Sequence, residues 1–72
     1  MREVNMGSIR SIERSIDVIE SFAAKNKPLT IEEITTITKL PKSTVYRILC
    51  TLEKRFLVIF DDKTQKYQPG IR

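Results

Sequence analysis

Apolar positions along the 72-residue chain form four patterned stretches, separated by polar or proline-bearing breaks. In the first, Ile12, Ile16, Ile19 and Ala23 recur at helical spacing, with Ile9, Phe22 and Val18 beside them. Glu13, Arg14, Asp17, Glu20 and Ser21 take the opposite face. The pattern predicts a helix capped by Ser11 and running to about Ala24, its isoleucines turned to the core. Lys25-Asn26-Lys27-Pro28 ends it, with cations near the negative end of the helix dipole and Pro28 beyond.

The second stretch opens with Thr30-Ile31-Glu32-Glu33, a capping box. The Thr30 hydroxyl can accept from the amide of residue 33, and the Glu33 carboxylate can accept from the amide of Thr30. The helix this starts is short, from Ile31 to about Thr38, with Ile31, Ile34 and Ile37 as its apolar face. Thr35, Thr36 and Thr38 are poor helix formers, so tertiary packing must hold it. Lys39-Leu40-Pro41 breaks the chain again. A third helix follows from about Pro41 to Lys54, with Pro41 at its start, where a missing N–H costs nothing. Val45, Ile48, Leu49 and Leu52 form its buried stripe. Phe56-Leu57-Val58-Ile59-Phe60 is β-branched and aromatic and too short for a helix, so it reads as a strand. Asp61 to Lys66 is a polar turn. Tyr67-Gln68 starts a second strand closed by Pro69-Gly70.

The expected architecture is mainly α with a small β-hairpin. Two helices on a tight turn followed by a hairpin make a winged helix-turn-helix, three helices plus a wing. Residues 9–70 form that domain, residues 1–8 a loose N-terminal arm, and residues 71–72 the start of an interdomain linker.

Composition narrows the function classes. The chain has no His and a single Cys. It therefore offers no His-based acid–base pair, no His-ligated metal and no internal disulfide. No nucleophile–base pair or metal cluster stands in for them, so an enzyme is not expected and no cofactor is implied. The longest apolar run, Phe56 to Phe60, falls far short of the roughly 18–20 residues that span a bilayer. Residues 1–8 carry no apolar stretch of the secretory kind. These features point to a cytoplasmic binding module without a membrane.

Charge sharpens this. Net charge is +4, and residues 39–55 alone carry that excess: Lys39, Lys42, Arg47, Lys54 and Arg55 against Glu53. The remaining segments nearly balance. A local basic stretch is the footprint of a polyanion-binding face, although a solvated helix surface has the same composition. Here it coincides with the second helix of the helix-turn-helix, the one laid in the DNA major groove by such units. At about 100° per residue, Ser43, Arg47, Cys50 and Lys54 fall opposite the buried stripe, flanked by Tyr46 and Thr51. Lys42, Ser43 and Thr44 sit in the first turn, where free amides and the dipole attract phosphate. Arg47 carries a fork that can grip a guanine edge or a phosphate. Lys54, and Lys63 and Lys66 on the hairpin turn, suit the DNA backbone. Each residue also has a plainer use. Ser43 and Thr44 can cap, Arg47 can pair with Glu53 or an acid of the first helix, Tyr46 can pack, and Cys50 is simply small. Asp61 and Asp62 would oppose wing contact with DNA unless turned away.

The residues Leu40-Pro41-Lys42-Ser43-Thr44-Val45-Tyr46-Arg47-Ile48-Leu49, then Thr51-Leu52-Glu53, closely resemble the recognition helix of the IclR family of bacterial and archaeal transcription regulators. Ser11 to Ile16 resembles that family's first helix, Pro28-Leu29-Thr30 its approach to the second, and Asp61 to Gly70 its wing. The chain departs from the pattern at Phe56, where Gly or Asn is usual, at Gln65, a usual Gly, and at Pro69, usually apolar. The resemblance implies sequence-specific binding to double-stranded operator DNA, with Lys42, Ser43, Thr44 and Arg47 as matched contact positions. It implies a repressor or activator that works as a homodimer or tetramer. A small-molecule effector would act only through a C-terminal domain absent from this chain. The rival expectation is a winged-helix protein-interaction module, which would show apolar anchors on the outward face of the third helix.

Overall fold

The structure is a computed structural model and describes residues 9–70. The loose arm and linker expected at 1–8 and 71–72 lie outside the described residues. Three helices, α1 (Arg10–Lys25), α2 (Ile31–Thr38) and α3 (Lys42–Lys54), precede an antiparallel hairpin of β1 (Val58–Asp61) and β2 (Lys66–Pro69). Val58 pairs with Pro69, Ile59 with Gln68, Phe60 with Tyr67 and Asp61 with Lys66. This is the winged helix-turn-helix expected from the pattern.

The capping box forms as written: the Glu33 amide donates to Thr30 Oγ1 at 3.1 Å, and the Thr30 amide donates to Glu33 Oε1 at 2.8 Å. It fixes the start of an eight-residue helix whose threonine hydroxyls, at 35, 36 and 38, bond back to carbonyls four residues earlier. Lys39 then turns left-handed (φ 61°) and closes the helix through its amide to the Thr35 carbonyl. The turn from α2 to α3 is thereby tight. Val45, Leu49 and Leu52 are buried, with Ile48 half-buried beside them, so the stripe of α3 is the expected one. These residues pack with Val18, Phe22, Leu29, Ile34, Val58 and Tyr67 into one core. The Tyr67 and Phe60 rings lie 4.7 Å apart, joining the hairpin to it.

Three features differ from the sequence pattern. First, α1 buries Val18, Ser21 and Phe22, whereas Ile9, Ile12, Ile16 and Ile19 are 45–61% exposed. The helix has two apolar stripes on opposite sides, and the richer one faces out. Ser21, expected in solvent, is buried, its hydroxyl donating to the Val18 carbonyl. Ser11 lies inside α1 and Ile9 occupies the cap position, with no side-chain cap bond. Second, the strand starts later than the apolar run. Phe56 is in a left-handed turn (φ 63°), so Phe56 and Leu57 are exposed ahead of β1. Third, Leu29 pairs with Tyr67 through two backbone bonds of 2.9 and 2.7 Å. This single bridge ties the α1–α2 connection to the wing, which no local pattern encodes.

Candidate nucleic-acid interface

The helix-turn-helix pins α3 by its buried stripe and leaves the other side open. Lys42, Ser43, Tyr46, Arg47, Thr51 and Lys54 are exposed there, while Thr44 and Cys50 are half-buried. Pro41 holds the cap position of α3 and no side chain caps this end. The capping use of Ser43 and Thr44 is therefore not taken up, and the first-turn amides lack a side-chain partner. No acidic residue sits in that first turn.

Two clefts flank α3, and their charge differs. On the α1 side lies an open cleft of about 350 Å³ lined by Arg14, Ser15, Thr44, Arg47 and Thr51 among others. It carries two guanidinium groups and no carboxylate. On the wing side lies one of about 480 Å³ that holds Lys42, Tyr46 and Cys50 together with Glu32 and Glu53. There the Lys42 ammonium donates to Glu32 Oε2 at 3.1 Å, and this bond holds the Glu32 carboxyl below its ordinary value. The neighbouring Cys50 thiol raises the pKa of the Tyr46 hydroxyl. Cys50, expected to point outward, thus turns partly toward the wing.

The hairpin residues separate. Lys63 is exposed on the turn between the strands, where its amide donates to Asp61 Oδ1 at 2.9 Å. Gln65 makes the turn left-handed (φ 60°) and donates its side-chain amide to the Asp62 carbonyl. Lys66 is half-buried at the base of β2, opposite Asp61. It lies near Glu33, whose carboxyl is lowered first by the Thr30 amide and further by Lys27 and Lys66. So Ser43, Arg47 and Lys54 share the open side of α3, Lys42 and Tyr46 face the wing cleft, and Lys66 is drawn toward α2 and away from the wing tip.

Sequence reasoning missed Arg14, which was assigned to the solvent face of α1. It is half-buried against α3. Its position four residues before Val18 carries the signal, once Val18 is known to mark the buried side. It also missed Glu32, ten residues before Lys42 on α2 and its partner.

A three-helix domain with this open, basic third helix and a hairpin wing is a winged helix-turn-helix of the DNA-binding class. The IclR helix-turn-helix domain model matches residues 11–62, and the chain belongs to that family of transcription regulators. It is 34% identical over 64 residues to the HTH-type transcriptional regulator BhcR of Paracoccus denitrificans, covering 89% of this chain and 23% of that protein. Its fold superposes with a TM-score of 0.84 on an IclR family transcriptional regulator from Brucella abortus (28% identity, 93% of this chain, 26% of that one). A second solved relative is an IclR transcriptional regulator from Alicyclobacillus acidocaldarius, with TM-score 0.83, 26% identity, and coverage of 89% and 26%. The chain spans about a quarter of the length of these relatives. As in that family, it is a DNA-binding domain for transcription regulation. Among the described residues no helix is long and apolar enough to cross a membrane, and no group of His, Cys, Asp or Glu is placed to hold a metal ion.

Proposed function

We propose that the domain reads double-stranded DNA sequence-specifically by laying α3 in the major groove. The observation that carries this reading is the open face of α3: Ser43, Arg47 and Lys54 project from one side, above an N-terminus whose amides have no side-chain cap. Ser43 and Thr44, with the first-turn amides, seat a backbone phosphate, and Arg47 reaches base edges. Tyr46, at the wing-side edge of α3, makes an apolar contact with the groove wall. Lys42 and Lys54 bind phosphates at the two ends of the helix, and Lys63 does so from the wing tip. Lys66 adds to the field from the base of the wing. The rival protein-interaction reading asks for apolar anchors on this face, and its exposed residues are polar or charged apart from Tyr46.

The regulator acts as a homodimer or tetramer on paired half-sites, under a small-molecule effector bound by a separate domain. The outward isoleucine stripe of α1 supports self-association, because an apolar row of this kind usually marks a contact. The test of the reading is selection from random duplex DNA with the chain fused to a dimerising coiled coil. Enrichment of a two-fold related motif is the expected outcome. Recovery of no motif contradicts it.

A further inference from the structure

We infer that the cleft between α1 and α3 is a seat for a phosphodiester of the DNA backbone, with Arg14 as its charge. The inference rests on the DNA-binding reading above and assigns a contact outside the recognition helix.

Arg14 and Arg47, from different helices, line the same open cleft of about 350 Å³. Ion pairs among the described residues join Lys27 to Glu33 and Lys42 to Glu32, so neither guanidinium is matched by a carboxylate. Two like charges brought to one cleft without a counter-charge repel each other, and an anion between them removes that cost. The remaining polar lining is hydroxyl: Ser11, Ser15, Thr44 and Thr51. Thr51 and Ser15 donate to the carbonyls of Arg47 and Ser11, which leaves their oxygens able to accept from a guanidinium but turns their protons inward. The guanidinium groups are the charged donors, beside the Ser11 and Thr44 hydroxyls, and an acceptor-only ligand such as a phosphodiester is the complement.

Location selects duplex DNA as the source of that phosphate. Arg47 belongs both to the cleft and to the open face of α3, so a groove occupied by α3 brings its bordering strand past the cleft. In the wing-side cleft Lys42 is matched by Glu32 and stands with Glu53, so that cleft offers no such unmatched positive charge. Arg14 is also half-buried, so its guanidinium is better confined than an exposed Lys and loses less freedom on binding.

The test is titration of a mixed-sequence duplex, and separately of inorganic phosphate, into the isotope-labelled protein, following the Arg14 Nε–H resonance. A shift saturating with the duplex, and needing far higher concentrations of phosphate alone, is expected. No shift with the duplex overturns the proposal, as does a shift that phosphate alone saturates at the concentrations the duplex needs. The companion measurement is the salt dependence of duplex affinity for Arg14→Gln. The slope of log affinity against log salt is expected to fall by about one, with a several-fold loss on every sequence alike. If Arg14→Gln leaves slope and affinity unchanged while Lys54→Gln lowers both, the cleft is not a phosphate seat and the DNA-binding reading stands. If the unaltered protein binds no duplex, both fall together.

Discussion

Lys42, the first residue of α3, donates to the Glu32 carboxylate of α2 at 3.1 Å. The bond crosses the helix-turn-helix and occupies a cation that the DNA backbone would otherwise take. Both side chains are exposed, so the pair adds little to stability. Its effect lies in competition. Glu32→Gln frees Lys42 and deletes a negative charge from the DNA-facing side. Duplex affinity is expected to rise by roughly two- to fivefold at low salt, with an unchanged thermal midpoint. A fall in affinity would mean that Glu32 holds Lys42 in its binding position.

The capping box gives a stability prediction. Thr30→Ala removes the acceptor for the Glu33 amide and is expected to cost about 1 kcal/mol in denaturant unfolding. Glu33→Gln keeps the reciprocal bond and costs less. The pH dependence has a defined sign. The Glu33 carboxyl is held below its ordinary value of 4.5 by the Thr30 amide, so its contribution is complete above that value. It is lost as the pH falls through the lower folded-state value. Glu33→Gln, which removes the titrating carboxyl while Thr30→Ala leaves the donating backbone amide in place, is therefore expected to flatten the loss of stability below pH 4.5 relative to the unaltered chain.

Phe56 holds a left-handed backbone (φ 63°) with its ring two-thirds exposed. Strain without compensating burial makes Phe56→Gly stabilising, by about 0.5–1 kcal/mol, visible as a rise of a few degrees in Tm. The opposite change is at Gly70. Its amide donates to the Leu57 carbonyl at 2.8 Å, and a Cβ there would run into the Phe56 carbonyl oxygen. Gly70→Ala pushes backbone against backbone at the mouth of the wing and is expected to destabilise by roughly 1–3 kcal/mol.

The outward stripe of α1 predicts association without a cost to the fold. Ile16 is 46% exposed, so Ile16→Glu leaves the core intact. Sedimentation equilibrium at micromolar to millimolar concentration is expected to show weak self-association for the unaltered chain and a monomer for the variant. Coincident curves would remove the stripe from any interface.

Much of this was legible in the chain. The Thr30-Ile31-Glu32-Glu33 box and the Val45, Ile48, Leu49, Leu52 stripe are local patterns whose physics is complete within one element, and both appear as read. The face of α1 was not, because periodicity finds a stripe but does not say which of two is buried. Four isoleucines outweighed Val18 and Phe22, yet the pocket formed by α2, α3 and β2 accepts the smaller set. Phe56 and Leu57 were read into the strand because they are greasy, while the left-handed turn at Phe56 depends on the approach of Gly70, 14 residues on. At the site, the outward positions of Ser43, Arg47 and Lys54 followed from helix geometry alone. The Glu32–Lys42 pair and the Arg14–Arg47 cleft need the angle between helices, which no single-element pattern contains.

The central claim is that α3 reads bases through Arg47. It is tested most directly by the affinity of Arg47→Ala for a selected operator and for a mixed-sequence duplex, at one fixed salt concentration. Loss of on the order of 1–3 kcal/mol on the operator, with a smaller loss on the mixed duplex, is the predicted result. An unchanged dissociation constant on the operator would contradict the docking of α3 in the major groove.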